Sequence, residues 1–65
     1  MFRVEVLMET DHKTVWAELP NRFPTSDKAI DHAEIFFGEN DNCHGWRVFD
    51  PNGREIRKED RLGQH

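Results

Sequence analysis

The sequence predicts an α+β domain of order ββαββ, an antiparallel sheet of about four strands with one helix packed on one face. Three observations carry this. Residues 2–8 alternate apolar and polar side chains with the period of a half-buried strand. Residues 25–38 hold an apolar stripe at helical spacing between a capping side chain and a glycine. Residues 50–53 spell Asp-Pro-Asn-Gly between two short strand-like runs.

The first strand rests on Phe2, Val4, Val6 and Met8, which alternate with Arg3, Glu5 and Leu7. Polar residues 9–13 suit a hairpin loop, and Thr14 to Leu19 returns as a second strand rich in β-branched and aromatic side chains, ended by Pro20. Thr25 or Ser26 can cap a helix, with Asp27 at the positive end of its dipole. Ala29, Ile30, Ala33, Phe36 and Phe37 then share one face, and Gly38 offers a C-terminal stop. After a polar loop over 39–45, Trp46 to Phe49 reads as the third strand. Asp50-Pro51-Asn52-Gly53 is a turn, and Arg54 to Arg57 is the fourth strand. Residues 1–57 are thus one domain, and the charged segment 58–65, with Leu62 its sole apolar residue, is expected to be a disordered tail.

A 65-residue chain buries only about 60% of its unfolded surface, so its stability is expected to be marginal. The single cysteine, Cys43, excludes an internal disulfide and points to a reducing compartment. No apolar run reaches the length of a signal peptide or a membrane span, so the expectation is a soluble, cytoplasmic protein. The formal net charge is −4. Residues 1–46 carry nine acids and four bases, whereas residues 47–65 carry five bases and four acids. That balance disfavours phosphate-rich partners over most of the chain.

The alternation also assigns the face away from the helix. Arg3, Glu5, Leu7, Trp16, Glu18, Arg47, Phe49, Glu55 and Arg57 are expected there, and Val4, Val6, Val15, Ala17, Leu19, Trp46, Val48 and Ile56 toward the helix. Large apolar side chains on an open face mark an interaction surface. Leu7, Trp16, Arg47, Phe49 and Arg57 are therefore the candidate partner-binding residues, for a protein partner or a second copy of the chain, by face or by strand addition at an edge. The alternative is single-stranded nucleic acid on the same face, with Arg54, Arg57, Lys58 and Arg61 assisting.

Chemistry finds less support. Adjacent Cys43 and His44 lack the spacing of a zinc pair, and Asp41, His12 and His32 do not repair it. Cys43 with His44 or His12 lacks a third, orienting residue for nucleophilic catalysis. Asp27, Asp31 and Glu34 belong to the solvated side of the helix. Neither Glu39–Asn42 nor Asp50–Gly53 has the spacing of a calcium loop. The expectation is a binding protein, not an enzyme, with no cofactor, no metal and no membrane partner.

Trp16, then Phe23-x-Thr25-x-x-x-Ala29-Ile30-x-x-Ala33, then Asn52-Gly53-Arg54-Glu55-Ile56 resembles the pattern of small bacterial domains of unknown function. The resemblance covers roughly residues 15–57, and this chain departs from it by an additional well-formed first strand. Made of capping, core and turn residues, it implies a fold and no activity.

Overall fold

Two hairpins meet along their inner strands, and the helix between them lies across that seam. The computed structural model describes residues 1–60. Its elements are β1 (Phe2–Thr10), β2 (Lys13–Phe23), α1 (Ser26–Glu39), β3 (Cys43–Phe49) and β4 (Glu55–Asp60). The strands form one antiparallel sheet in the order β2-β1-β3-β4. The ββαββ, α+β architecture expected from the sequence is the one observed.

The core lies where period two meets period 3.6. Val4 and Val6 of β1, Trp46 and Val48 of β3, and Ala29 and Ala33 of α1 are all at most 1% exposed. Phe2, Met8, Leu19, Phe23, Ile30, Phe36 and Phe37 pack around them. Trp46 is the largest buried side chain, and its Nε1 has no hydrogen-bond partner among the described residues. An orphaned donor costs about 1–3 kcal/mol. Burying an indole of about 200 Å² at ~25 cal/mol per Å² contributes about 5 kcal/mol, so packing outweighs the lost hydrogen bond.

The helix begins as expected: Thr25 has extended backbone, and its hydroxyl accepts a hydrogen bond from the Lys28 N–H at 3.3 Å. It ends two residues later than the Gly38 cap expected from the sequence. Gly38 is not among the residues with positive φ. Asn40 closes the helix instead, its Nδ2 donating to the Phe36 carbonyl at 2.9 Å. A side-chain donor thus satisfies one of the free terminal carbonyls without a left-handed residue.

Pairing overrides local propensity at four strand boundaries. The first hairpin closes to a two-residue turn, with Thr10 opposite Lys13 and Asp11 and His12 at φ of 49° and 67°. Two left-handed residues fit the twist of a hairpin. The second strand continues through Pro20 to Phe23. Between Glu5↔Glu18 and Arg3↔Arg22, the single residue Val4 faces Leu19, Pro20 and Asn21 in a bulge, and on an edge strand the missing proline N–H breaks no ladder. The third strand starts at Cys43, not Trp46, because Met8 pairs with Cys43 and the Glu9 N–H donates to the Asn42 carbonyl at 2.9 Å. Lys58, Glu59 and Asp60, expected in a frayed tail, pair with Arg47, Trp46 and Gly45. The rest of that expected tail, with Arg61 and Leu62, lies outside the described residues.

The Asp50–Gly53 turn forms as its sequence implies. Asp50 Oδ1 accepts from the Asn52 and Arg54 N–H groups at 2.9 and 2.8 Å, and Gly53 adopts φ 87°. At its exit an extra residue enters β4. Val48 pairs with Arg57 but Phe49 pairs with Glu55, leaving Ile56 in a bulge and 41% exposed. Ile56 is thereby removed from the helix-facing core in which the alternation placed it.

Gly45 answers a different constraint. A Cβ there would sit 2.6 Å from the Glu59 carbonyl oxygen and 3.0 Å from Asp60 Cα. Replacing Gly45 by Ala is expected to force β4 away and lower stability by about 1–3 kcal/mol in urea titrations. His12→Gly is expected to do the opposite. Removing the Cβ from a left-handed turn position should raise stability by about 0.5–1 kcal/mol in the same assay, with unchanged circular dichroism.

Candidate interaction surface

The sheet face away from α1 is organised in cross-strand rows, because residues opposite one another in an antiparallel pair share a face. One row runs Trp16, Leu7, Gly45, Asp60 across β2, β1, β3 and β4. The next runs Glu18, Glu5, Arg47, Lys58, and a third holds Arg22, Arg3, Phe49 and Glu55. Four of the five candidate residues (Leu7, Trp16, Arg47, Phe49) are therefore gathered on this face.

Arg57 is not. It pairs with Val48, whose side chain is in the core, so the Ile56 bulge turns Arg57 to the helix side of the sheet. Lys58 takes the place expected for it. No local sequence signal marks this exchange, since the run Arg57-Lys58-Glu59-Asp60 has no apolar alternation to count.

The rows form a second, smaller packed unit. Leu7 is only 5% exposed although it belongs to no part of the helix-side core. Its neighbours across the ladder are Trp16 on one side and side-chain-less Gly45 on the other. Trp16 lies within reach of groups two and three strands away: the Arg47 guanidinium carbon is 4.0 Å from the ring centroid and Lys58 Nζ is 5.8 Å from it. Strands lie about 4.8 Å apart, so β2 and β4 are separated by about 14 Å. The indole and the lysine must both lean inward, toward Arg47 on β3.

Charge holds the arrangement. Arg47 Nε and Nη2 lie 2.8 and 2.6 Å from Glu5 Oε1, and its guanidinium carbon is 5.3 Å from the Phe49 ring centre. Arg3 sits 5.1 Å from the other partner of that stack, Phe49, and is bound to Glu18 at 3.1 Å. Glu18 also takes Arg22 at 2.7 Å. Exposed ion pairs contribute about 0–1 kcal/mol each, and a cation over an aromatic face about 0.5–1 kcal/mol. Their joint effect is to hold Trp16 and Phe49 in place, half-buried, on an otherwise polar surface. Glu5, Arg3 and Glu18 hold the site without being among the five candidate residues, and Lys58, expected only to assist a nucleic-acid partner, joins them. Period-two alternation marks the first three.

The Cys43 region offers no comparable assembly. Cys43 is buried, its S–H donates to the Gly45 carbonyl at 3.3 Å, and burial raises its thiol above the ordinary range. His44 is the bulged residue between Cys43 and Gly45, and its Nε2 lies 2.7 Å from Glu9 Oε1, away from the thiol's partner. A depression beside them is lined by Phe37, Gly38, Asn40, Asp41 and Cys43. Among the described residues no three His, Cys, Asp or Glu side chains gather in a way that would hold a metal ion. No helix among them is long and apolar enough to cross a membrane.

Comparison with protein-family models, with curated proteins and with solved structures gives no match for this chain.

Two measurements follow from this geometry. A double-mutant cycle on Trp16→Ala and Arg47→Ala, read by urea unfolding, is expected to give a coupling of about 0.5–1 kcal/mol; zero coupling would show that the stack contributes nothing. Cys43 is expected to resist iodoacetamide at about pH 8 in the folded chain and to react within minutes in urea, because the thiolate is the nucleophile. Its raised folded value also sets a sign. The Cys43 contribution to stability is intact below the thiol value of the unfolded chain and declines as pH rises above it.

Proposed function

We propose that this chain is a small protein-binding module that works by contact through its open sheet face, and that it is not an enzyme. One observation carries the reading: Trp16, Arg47 and Phe49 are stacked together, half-buried, on the sheet face opposite α1. Tryptophan and arginine are enriched where binding energy concentrates, and rigid aromatic groups lose little entropy on docking. The cluster is held by its own ion pairs, so it is pre-organised and needs no rearrangement to meet a partner.

Single-stranded nucleic acid fits the same face less well. Arg47 and Arg3 are engaged by Glu5 and Glu18, the Trp16 ring is attended by the chain's own cations, and Arg57 belongs to the other side. Phosphate affinity needs cations that are free to release counterions. The cytoplasm is the compartment that suits this reading, since Cys43 is a buried, unpaired thiol. The pattern of Trp16, Thr25, Ala29, Ile30, Ala33 and Asn52–Ile56 agrees with small bacterial domains of unknown function, a likeness that bears on fold and carries no activity.

The test is affinity capture with wild type, Arg47→Ala and Phe49→Ala, each verified as folded by circular dichroism. A protein retained by wild type and lost by at least about tenfold in both variants is the expected result. Retention of the same protein by both variants, or of none by wild type, would sink the reading. Salt-sensitive binding of an unstructured oligonucleotide at low salt, abolished by Arg47→Ala, would replace it with the nucleic-acid alternative.

A further inference from the structure

The sheet has two edges, and they are protected unequally. β4 is short and carries Glu55, Arg57, Lys58, Glu59 and Asp60, the charged composition that keeps an edge from pairing with another chain. β2 is eleven residues long, and its two halves differ. In the second half, Pro20 has no N–H, the chain bulges over Leu19–Asn21, and Arg22 Nη1 lies 3.3–3.5 Å from the carbonyl oxygens of Leu19, Pro20 and Asn21. The first half carries charge only at its ends, Lys13 and Glu18, and among the described residues it has no proline, bulge or guanidinium over its carbonyls in Thr14–Ala17.

The register says which groups that half presents. In a two-residue hairpin the closing pair, here Thr10↔Lys13, is hydrogen-bonded, and bonded and non-bonded pairs alternate along the ladder. Lys13, Val15 and Ala17 therefore bond to β1, whereas Thr14, Trp16 and Glu18 turn their N–H and C=O groups outward.

We propose that this half of β2 pairs antiparallel with the same segment of a second copy, about a two-fold axis at Trp16. That register sets Thr14 opposite the partner's Glu18 and Trp16 opposite the partner's Trp16, so three outward residues per copy exchange six backbone hydrogen bonds. Centring the axis on a neighbouring residue leaves fewer pairs, or brings Pro20 into the ladder. Centring it on Glu18 sets two carboxylates face to face.

The side chains agree with the same axis. On the helix side it packs Val15, which is 46% exposed, against the partner's Ala17, also exposed. No like charges oppose each other, as Lys13 meets Leu19 and Glu18 meets Thr14. A two-fold contact needs this self-complementarity. The result is a continuous eight-stranded sheet whose two Trp16–Arg47 clusters lie side by side. The edge stands independently of what the open face binds.

Sedimentation velocity from about 10 μM to about 1 mM tests it, a range set by the small interface of a strand pair. Wild type is expected to pass from monomer to dimer, with amide exchange at Thr14, Trp16 and Glu18 slowing as the dimer forms. Thr14→Pro removes one outward N–H and Val15→Lys adds an edge charge at an exposed position. Both are expected to weaken the dimer at least about tenfold while circular dichroism is unchanged. Arg47→Ala, which alters the open face on β3 and no backbone group of the β2 edge, is expected to leave it intact. A wild-type monomer throughout, or a dimer that survives Val15→Lys, overturns the proposal. So does a dimer lost in Arg47→Ala, which would instead assign self-association to the open face.

Discussion

The close seating of α1 on the β1–β3 pair is the contact on which the rest of the structure depends. Ala29 and Ala33 are fully buried against Val4, Val6, Trp46 and Val48. Two alanines one turn apart let the helix backbone approach the sheet, and Trp46 fills the space that small side chains leave. The two hairpins adjoin through β1 and β3, and this helix is laid across that pair. Larger residues at 29 or 33 would lift the helix and open both hairpins to water.

That seating also explains what the helix leaves uncovered. A single helix about 10 Å wide spans two strands at 4.8 Å spacing, not four. It therefore covers the inner pair, and the outer strands diverge in character. On its helix-facing side β2 keeps Val15 and Ala17 exposed, whereas β4 presents charge. The opposite face is closed in another way, by side chains reaching sideways. Trp16 and Lys58 approach each other across the inner strands, and Arg47, tied to Glu5, stacks on the indole. Gly45 lets the β4 backbone approach, since a side chain there would meet the Glu59 carbonyl and Asp60 Cα.

Much of the candidate surface was legible before the fold was known. Leu7, Trp16, Arg47 and Phe49 follow from alternation on strands whose opposite face is apolar enough to set the register. Arg57 did not follow, because the Ile56 bulge reverses the alternation and a bulge leaves no mark in a run of charged residues. Cys43 and His44 read as loop residues because their strand depends on pairing with β1, a partner some 35 positions away. The same holds for Lys58–Asp60, whose composition suits a tail and whose strand exists through its ladder to β3.

By itself the sequence determined the α+β class, the order of the elements, the helix with a cap at Thr25 or Ser26, the Asp50–Gly53 turn and most of the core. Each rests on interactions within a few residues or on a period that burial enforces. The strand order β2-β1-β3-β4, the bulges at Leu19–Asn21, His44 and Ile56, the substitution of Lys58 for Arg57, and the unequal protection of the two edges were decided by the tertiary structure. They depend on which strand lies beside which, and hydrogen bonding between distant segments carries no local signature.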